Sequence, residues 1–195
     1  RWTIPANALF LYIMNILPDK GPAFSGIITY EKGGTLGDRI QRDLQLVTVH
    51  RGEARIRIDG RLFRVGPGEA ILLLPGRREG FRFSSTSRTR HAWCGLQEPV
   101  LNPDQRNNLK TVSRPQPFSK RMRTLEQMLL PLGGRATPGQ AQLHDQLVRT
   151  LLLAYLEPTG ILDEAPQPLH PAVERARRHI ADHYAEALEL GDIAR

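Results

Sequence analysis

Gly52-Glu53-Ala54-Arg55-Ile56-Arg57-Ile58-Asp59-Gly60-Arg61-Leu62-Phe63-Arg64-Val65-Gly66-Pro67-Gly68-Glu69-Ala70-Ile71-Leu72-Leu73-Leu74-Pro75-Gly76 contains three strand-sized runs parted by two turns. Residues 54–58 alternate apolar and charged side chains. Successive strand side chains point to opposite faces, so Ile56 and Ile58 belong to a core and Arg55 and Arg57 to solvent. Asp59-Gly60 supplies the two positive-φ positions of a tight hairpin, and residues 61–65 form its return strand. Gly66-Pro67-Gly68 makes the second turn, and the continuous apolar run 71–74 is a further strand ended by Pro75-Gly76.

The same pattern extends on both sides. Residues 27–30 and 44–50 are apolar and rich in β-branched side chains, Phe81 and Phe83 alternate with Arg82, and a last strand runs through Arg90-His91-Ala92-Trp93-Cys94. Many short strands parted by Gly, Pro and Asp predict a sandwich or a small closed barrel, which limits exposed sheet edges. After Pro99 a polar connection is expected, and from about Ser119 the period becomes helical. Met122, Leu125, Met128, Leu129 and Leu132 form one stripe closed by Gly133-Gly134. Thr137-Pro138-Gly139-Gln140 reads as a capping box opening a long helix. That helix carries Leu143, Leu147, Val148, Leu151, Leu152, Leu153, Tyr155 and Leu156, an apolar arc wider than one barrel face covers. A partner subunit is the expected cover of its second side, through Leu147, Leu151 and Tyr155. The Pro- and Gly-containing stretch from Glu157 to Leu169 reads as a linker.

Composition sets the outer limits. The chain has 195 residues, 40% hydrophobic and 24% charged, which suits one compact domain with an appended piece. It opens on Arg1, and a piece of a longer protein is expected. The single cysteine, Cys94, excludes an intrachain disulfide framework and fits a reducing compartment, so the cytoplasm is the expected location. The apolar run 8–17 is too short to span a bilayer. A net charge of +7, with arginine far outnumbering lysine, favours anionic partners and equally describes a solvated arginine-rich surface.

Two stretches resemble one family. Gly52-Glu53-Ala54, Ile58-Asp59-Gly60 and residues 68–76 look like the cupin barrel in the effector-binding half of AraC-type transcription regulators. His170-Pro171-Ala172-Val173, with Ala176, Arg177, Ile180 and Tyr184, followed by Leu190, Ile193 and Ala194, resembles the opening of the DNA-binding domain of the same regulators. The resemblance implies an α+β, mainly β fold: a double-stranded cupin-like barrel with an N-terminal arm over residues 1–112, and a helical dimerisation hairpin over 113–158. A linker at 159–170 and the truncated start of a helix-turn-helix domain at 171–195 would follow. It also implies a homodimer, DNA as partner, and a small-molecule effector. The base-reading helices are absent, so only weak, salt-sensitive DNA binding is expected of this chain.

The residues themselves carry little sign of catalysis. Metal-dependent cupins supply His-x-His and Glu from one motif and a further His after the Pro-x-Gly turn; here His50 stands alone, and Gly76-Arg77-Arg78-Glu79-Gly80 contains none. A tightly held divalent ion wants three or four convergent ligands, so neither metal nor cofactor is expected. His179 and His183 share a helix face without a third ligand. No nucleophile motif or phosphate-binding loop is present, and no catalytic residue is assigned. His91 and Trp93 share strand parity and so project to one face, where an indole plate beside an imidazole suits a sugar or organic acid. They match the His-x-Trp pair of sugar-responsive AraC-type regulators, and Phe81 falls where that family places a pocket aromatic. The same residues would also serve as satisfied core side chains. Arg39 and Arg42 enter the barrel from the preceding segment, and Arg39 completes the candidate ligand set. Arg77, Arg78 and Arg82 could select an anion at the rim, or lie exposed.

Overall fold

The computed structural model describes residues 16–18, 20–133 and 137–162, together with Arg175 and His179. Among them run β1 (Ala23–Tyr30), β2 (Thr35–Ile40), β3 (Leu44–Arg51), β4 (Ala54–Ile58), β5 (Arg61–Val65), β6 (Glu69–Leu73), β7 (Arg78–Phe83), β8 (Thr89–Leu96), α1 (Pro103–Val112), β9 (Gln116–Pro117), α2 (Lys120–Leu129) and α3 (Pro138–Leu156). The strands form two antiparallel sheets, ordered β1-β8-β3-β6-β9 and β2-β7-β4-β5. The expected barrel thus takes the form of two facing sheets.

Two cores explain why some strands alternate and others do not. Val47, Val49, Ile56, Ile58, Ile71, Leu73, Phe81 and Phe83 fill the space between the sheets. Leu44, Leu46, Ala70, Leu72 and Cys94 face the other way, against Leu109, Met122, Leu129, Val148, Leu151 and Tyr155 from the helices. The β4 strand has solvent on its outer side and reads buried, exposed, buried. Strands β3 and β6 lie in the middle layer with a core on each face, so burial runs without alternation from Leu44 to Val49 and from Ala70 to Leu73. At the β4–β5 hairpin Asp59 has φ 46° and Gly60 φ 85°, as the Asp-Gly pair predicts.

The helices start where side chains can satisfy their free amides. Ser119 Oγ accepts from the Met122 amide at the head of α2. Thr137 and Gln140 form the reciprocal capping box of α3. The polar connection expected after Pro99 contains a helix, α1. Asn102 and Gln105 cap it reciprocally, and Leu109 and Val112 are buried beneath it.

A second correction concerns the dimer residues. Leu147, Leu151 and Tyr155 are 7%, 0% and 1% exposed and belong to the core of their own unit. Tyr155 donates its hydroxyl to the Val112 and Arg114 carbonyls, a fixed place that a dimer contact would have to break. The wide apolar arc is spent on the middle sheet and on α2, and the outward side of the helical pair shows Met128 and Leu143.

The chain divides into two compact units, Arg1–Asp163 and Glu164–Arg195. Residues 1–15, which include most of the run 8–17 expected as core or an ordered arm, most of the linker and most of the start of the helix-turn-helix lie outside the described residues; Arg175 and His179 are helical. No helix among the described residues is long and apolar enough to cross a membrane.

Candidate functional site

The site grows from the alternation of β8. Arg90, Ala92 and Cys94 face the helices, whereas His91 and Trp93 face the inter-sheet core. Strand β1 pairs alongside, with Gly26 opposite Trp93 and Ile28 opposite His91. Gly26 is there because the indole lies across its Cα. A Cβ would stand 2.7 Å from Trp93 Cε2 and closer still to Cζ2.

His91 sits in an aromatic enclosure. Its ring centroid is 5.2 Å from Phe83, 5.6 Å from Tyr30, 5.6 Å from Trp93 and 6.5 Å from Phe81. Tyr30 and Phe83 stack on each other at 4.0 Å. The imidazole is 5% exposed, and its Nδ1 is a buried polar atom without a hydrogen-bond partner. Burial first, and the nearby charge of His50 second, lower its pKa from 6.5 to about 4. It is therefore neutral near pH 7, with one ring nitrogen a donor and the other an acceptor. An unpaired buried polar atom costs about 1–3 kcal/mol, which a hydroxyl placed against it would recover.

Of the four residues expected to bind ligand, His91, Trp93 and Phe81 come together here. Arg39 does not. Its guanidinium pairs with Glu79 at 2.8 Å and reaches Gln45 Oε1 at 3.4 Å. Gln41 donates to Glu79 at 3.1 Å and to Gln45 at 2.8 Å, completing a buried polar cluster at the other end of β7 from Phe83. Burial raises the pKa of Glu79, and the Arg39 hydrogen bond works against that rise. Arg77 is held by Asp59 at 2.7 Å, and Arg82 lies on the solvent side of β7. Tyr30, Phe83 and Gly26 were not singled out in the sequence. Phe83 shares parity with Phe81, a usable signal; the meeting of Gly26 and Trp93 depends on strand pairing.

Among the described residues no three His, Cys, Asp or Glu side chains converge as a metal site. His50 pairs with Glu126 at 2.8 Å, and His144 meets Ser25 Oγ at 2.9 Å. Cys94 is buried, and burial pushes its thiol well above the usual range, so it is no reactive thiolate.

Two facing antiparallel sheets enclosing a polar group among aromatics, backed by helices, define a ligand-binding domain of cupin type. The family described as AraC-like ligand binding domain matches residues 22–157, from the strand edge at β1 to the end of α3. The chain belongs to that family. Solved structures similar to it include a conserved protein of unknown function from Streptococcus pyogenes, at 20% identity and TM-score 0.34 over 38% of this chain and 63% of that one. An RmlC-like cupin from Shewanella frigidimarina matches at 18% identity and TM-score 0.36 over 43% and 71%. A cupin 2 conserved barrel domain protein from Leptotrichia buccalis matches at 25% and 0.37 over 42% and 38%. The chain thus spans less than two thirds of the first and third of these proteins. No curated protein matches the sequence.

Proposed function

We propose that this chain senses a small polar molecule between its two sheets and is the effector-binding and dimerisation region of a cytoplasmic, bacterial-type, AraC-type transcription regulator. The observation that carries the reading is His91 Nδ1, buried and unpaired within reach of Trp93, Tyr30, Phe81 and Phe83. A sugar hydroxyl both donates and accepts, so it satisfies that nitrogen in either tautomer, while the apolar face of a sugar ring lies on the indole. An organic acid is the lesser fit, because Arg39 already has a carboxylate partner in Glu79. The domain is not an enzyme in this reading.

Effector binding changes regulation only if the molecule prefers one arrangement of the sensor over another. The proposed output runs through the hairpin over residues 113–158, the linker at 159–170 and a helix-turn-helix domain beginning near 171, presented to DNA by a homodimer. The exposed side chains Met128 and Leu143 are the dimer contacts this reading now favours.

The test is a thermal-shift screen of sugars and organic acids on this protein and on a Trp93→Ala variant with verified fold. A sugar that raises the melting temperature of the native protein, and no longer does so in the variant, supports the sensor. A broad panel without any stabiliser would favour a filled barrel that serves only to dimerise.

A further inference from the structure

The outer face of the five-stranded sheet carries a pocket, separated from the His91 enclosure by the thickness of the sheet. It has a volume of about 560 Å³ and is bounded by Ile27, His50 and Arg90 from the sheet, by Phe118, and by α2. Its floor is organised around Glu126, a carboxylate 5% exposed on the underside of α2. Thr48 donates to Glu126 Oε1 at 2.5 Å, and His50 Nε2 lies 2.8 Å from Oε2. Each oxygen of that carboxylate is thus already engaged by a side chain of β3.

The positive groups are freer. Arg123 spends one Nη1 hydrogen bond, 2.6 Å, on the Phe118 carbonyl and keeps its other donors. Arg90 has no ion pair or hydrogen bond among the described residues, and it stands in cross-strand register with Arg51. Like charges in register are destabilising. An anion between Arg90 and Arg123 would relieve that repulsion. The pocket is net positive in either state of His50: with His50 charged, the pair with Glu126 cancels and both arginines remain; with His50 neutral, one positive charge remains. Beside the arginines the wall is apolar, through Ile27, Pro67, Phe118 and Leu130.

We infer that this pocket binds an amphipathic monocarboxylate, its carboxylate held by Arg90 and Arg123 and its hydrocarbon part laid along Ile27, Phe118 and Leu130, at a site that needs no effector in the barrel to be formed. Because one wall is the sheet and the other is α2, the occupant bridges the barrel to the helical pair and favours the docked position of that helix.

Titration calorimetry with octanoate, octanol and octylamine tests this on the full chain. Octanoate is expected to bind, with octanol about tenfold weaker and octylamine weaker still, since a charge-assisted hydrogen bond contributes about one tenfold step or more. Arg90→Ala and Arg123→Ala should each weaken octanoate about tenfold; both sites are exposed, so the fold survives. Trp93→Ala should leave octanoate affinity unchanged. Equal binding of octanoate and octanol, indifference to both arginine variants, or loss of binding in Trp93→Ala would overturn the proposal, the last by placing the ligand in the barrel. Absence of octanoate binding into the millimolar range would also overturn it.

Discussion

Acidification should destabilise this domain through His91. In the folded protein the imidazole is held neutral down to about pH 4, whereas in the unfolded chain it protonates at about 6.5. Between those values the unfolded state binds more protons than the folded one, so stability falls as pH falls. Above about pH 6.5 the group contributes no slope, and below about pH 4 the loss is complete. At about 1.4 kcal/mol per tenfold, the full displacement corresponds to about 3 kcal/mol, of which about 2 kcal/mol has gone by about pH 5. That is a large share of the stability of a small domain. His144, whose pKa burial also lowers, adds a slope of the same sign. The measurement is therefore a difference: urea unfolding of native protein and His91→Gln at about pH 7 and about pH 5. The variant should lose about 2 kcal/mol less than the native protein over that interval. Equal losses in the two proteins, or a His91 titration near the unfolded value by NMR, would show that the ring is not buried as described.

Two other substitutions test the packing. Gly26→Ala should drive the Trp93 ring off β1 at a cost of about 1–3 kcal/mol and abolish sugar-induced stabilisation; urea unfolding and the thermal-shift assay read both, and a variant that binds as the native protein does would mean the indole is not part of the pocket. Leu151→Ala should lower stability by about 2–5 kcal/mol without changing oligomeric state, whereas Leu143→Arg with Met128→Arg should leave stability within about 0.5 kcal/mol and shift sedimentation toward the monomer. The opposite pattern would return the dimer interface to the buried side of α3.

The central strands were legible because their signals are local. The alternation of residues 54–58, the Asp59-Gly60 hairpin and the capping box at Thr137 depend on a few neighbouring residues, and each recurs in the structure. Helix α1 carried an equally local signal in Asn102-Pro103-Asp104-Gln105, obscured by a low apolar content that leaves only Leu109 and Val112 to be buried beside Gln105. What could not be read was partnership across the chain. Leu147, Leu151 and Tyr155 look like an interface because apolar periodicity tells which residues are buried, never against what. Arg39 reads as an anion receptor until β2 pairs with β7 and delivers Glu79 to it. His91 and Trp93 were legible as a pair through their parity, while Tyr30 came from β1, far away in sequence, and Phe83 from the neighbouring β7, where its parity with Phe81 was the only signal.

The five-stranded sheet is the common wall of both candidate sites, and β8 serves them alternately: Arg90 outward, His91 inward, Ala92 outward, Trp93 inward. On β3, Thr48 and His50 reach out to Glu126 of α2 while Val47 and Val49 line the inter-sheet core. A displacement of these two strands by an effector inside the barrel would therefore reach α2 without any longer relay, since Thr48 and His50 tie the sheet to Glu126 alongside the apolar packing of Met122 and Leu129. If the two sites are coupled, the factor by which a sugar changes the affinity for octanoate must equal the factor by which octanoate changes the affinity for the sugar. Removing the fastening with Thr48→Val should bring both factors toward unity together while leaving each ligand its own contacts; a factor that persists in Thr48→Val would mean that the coupling travels elsewhere.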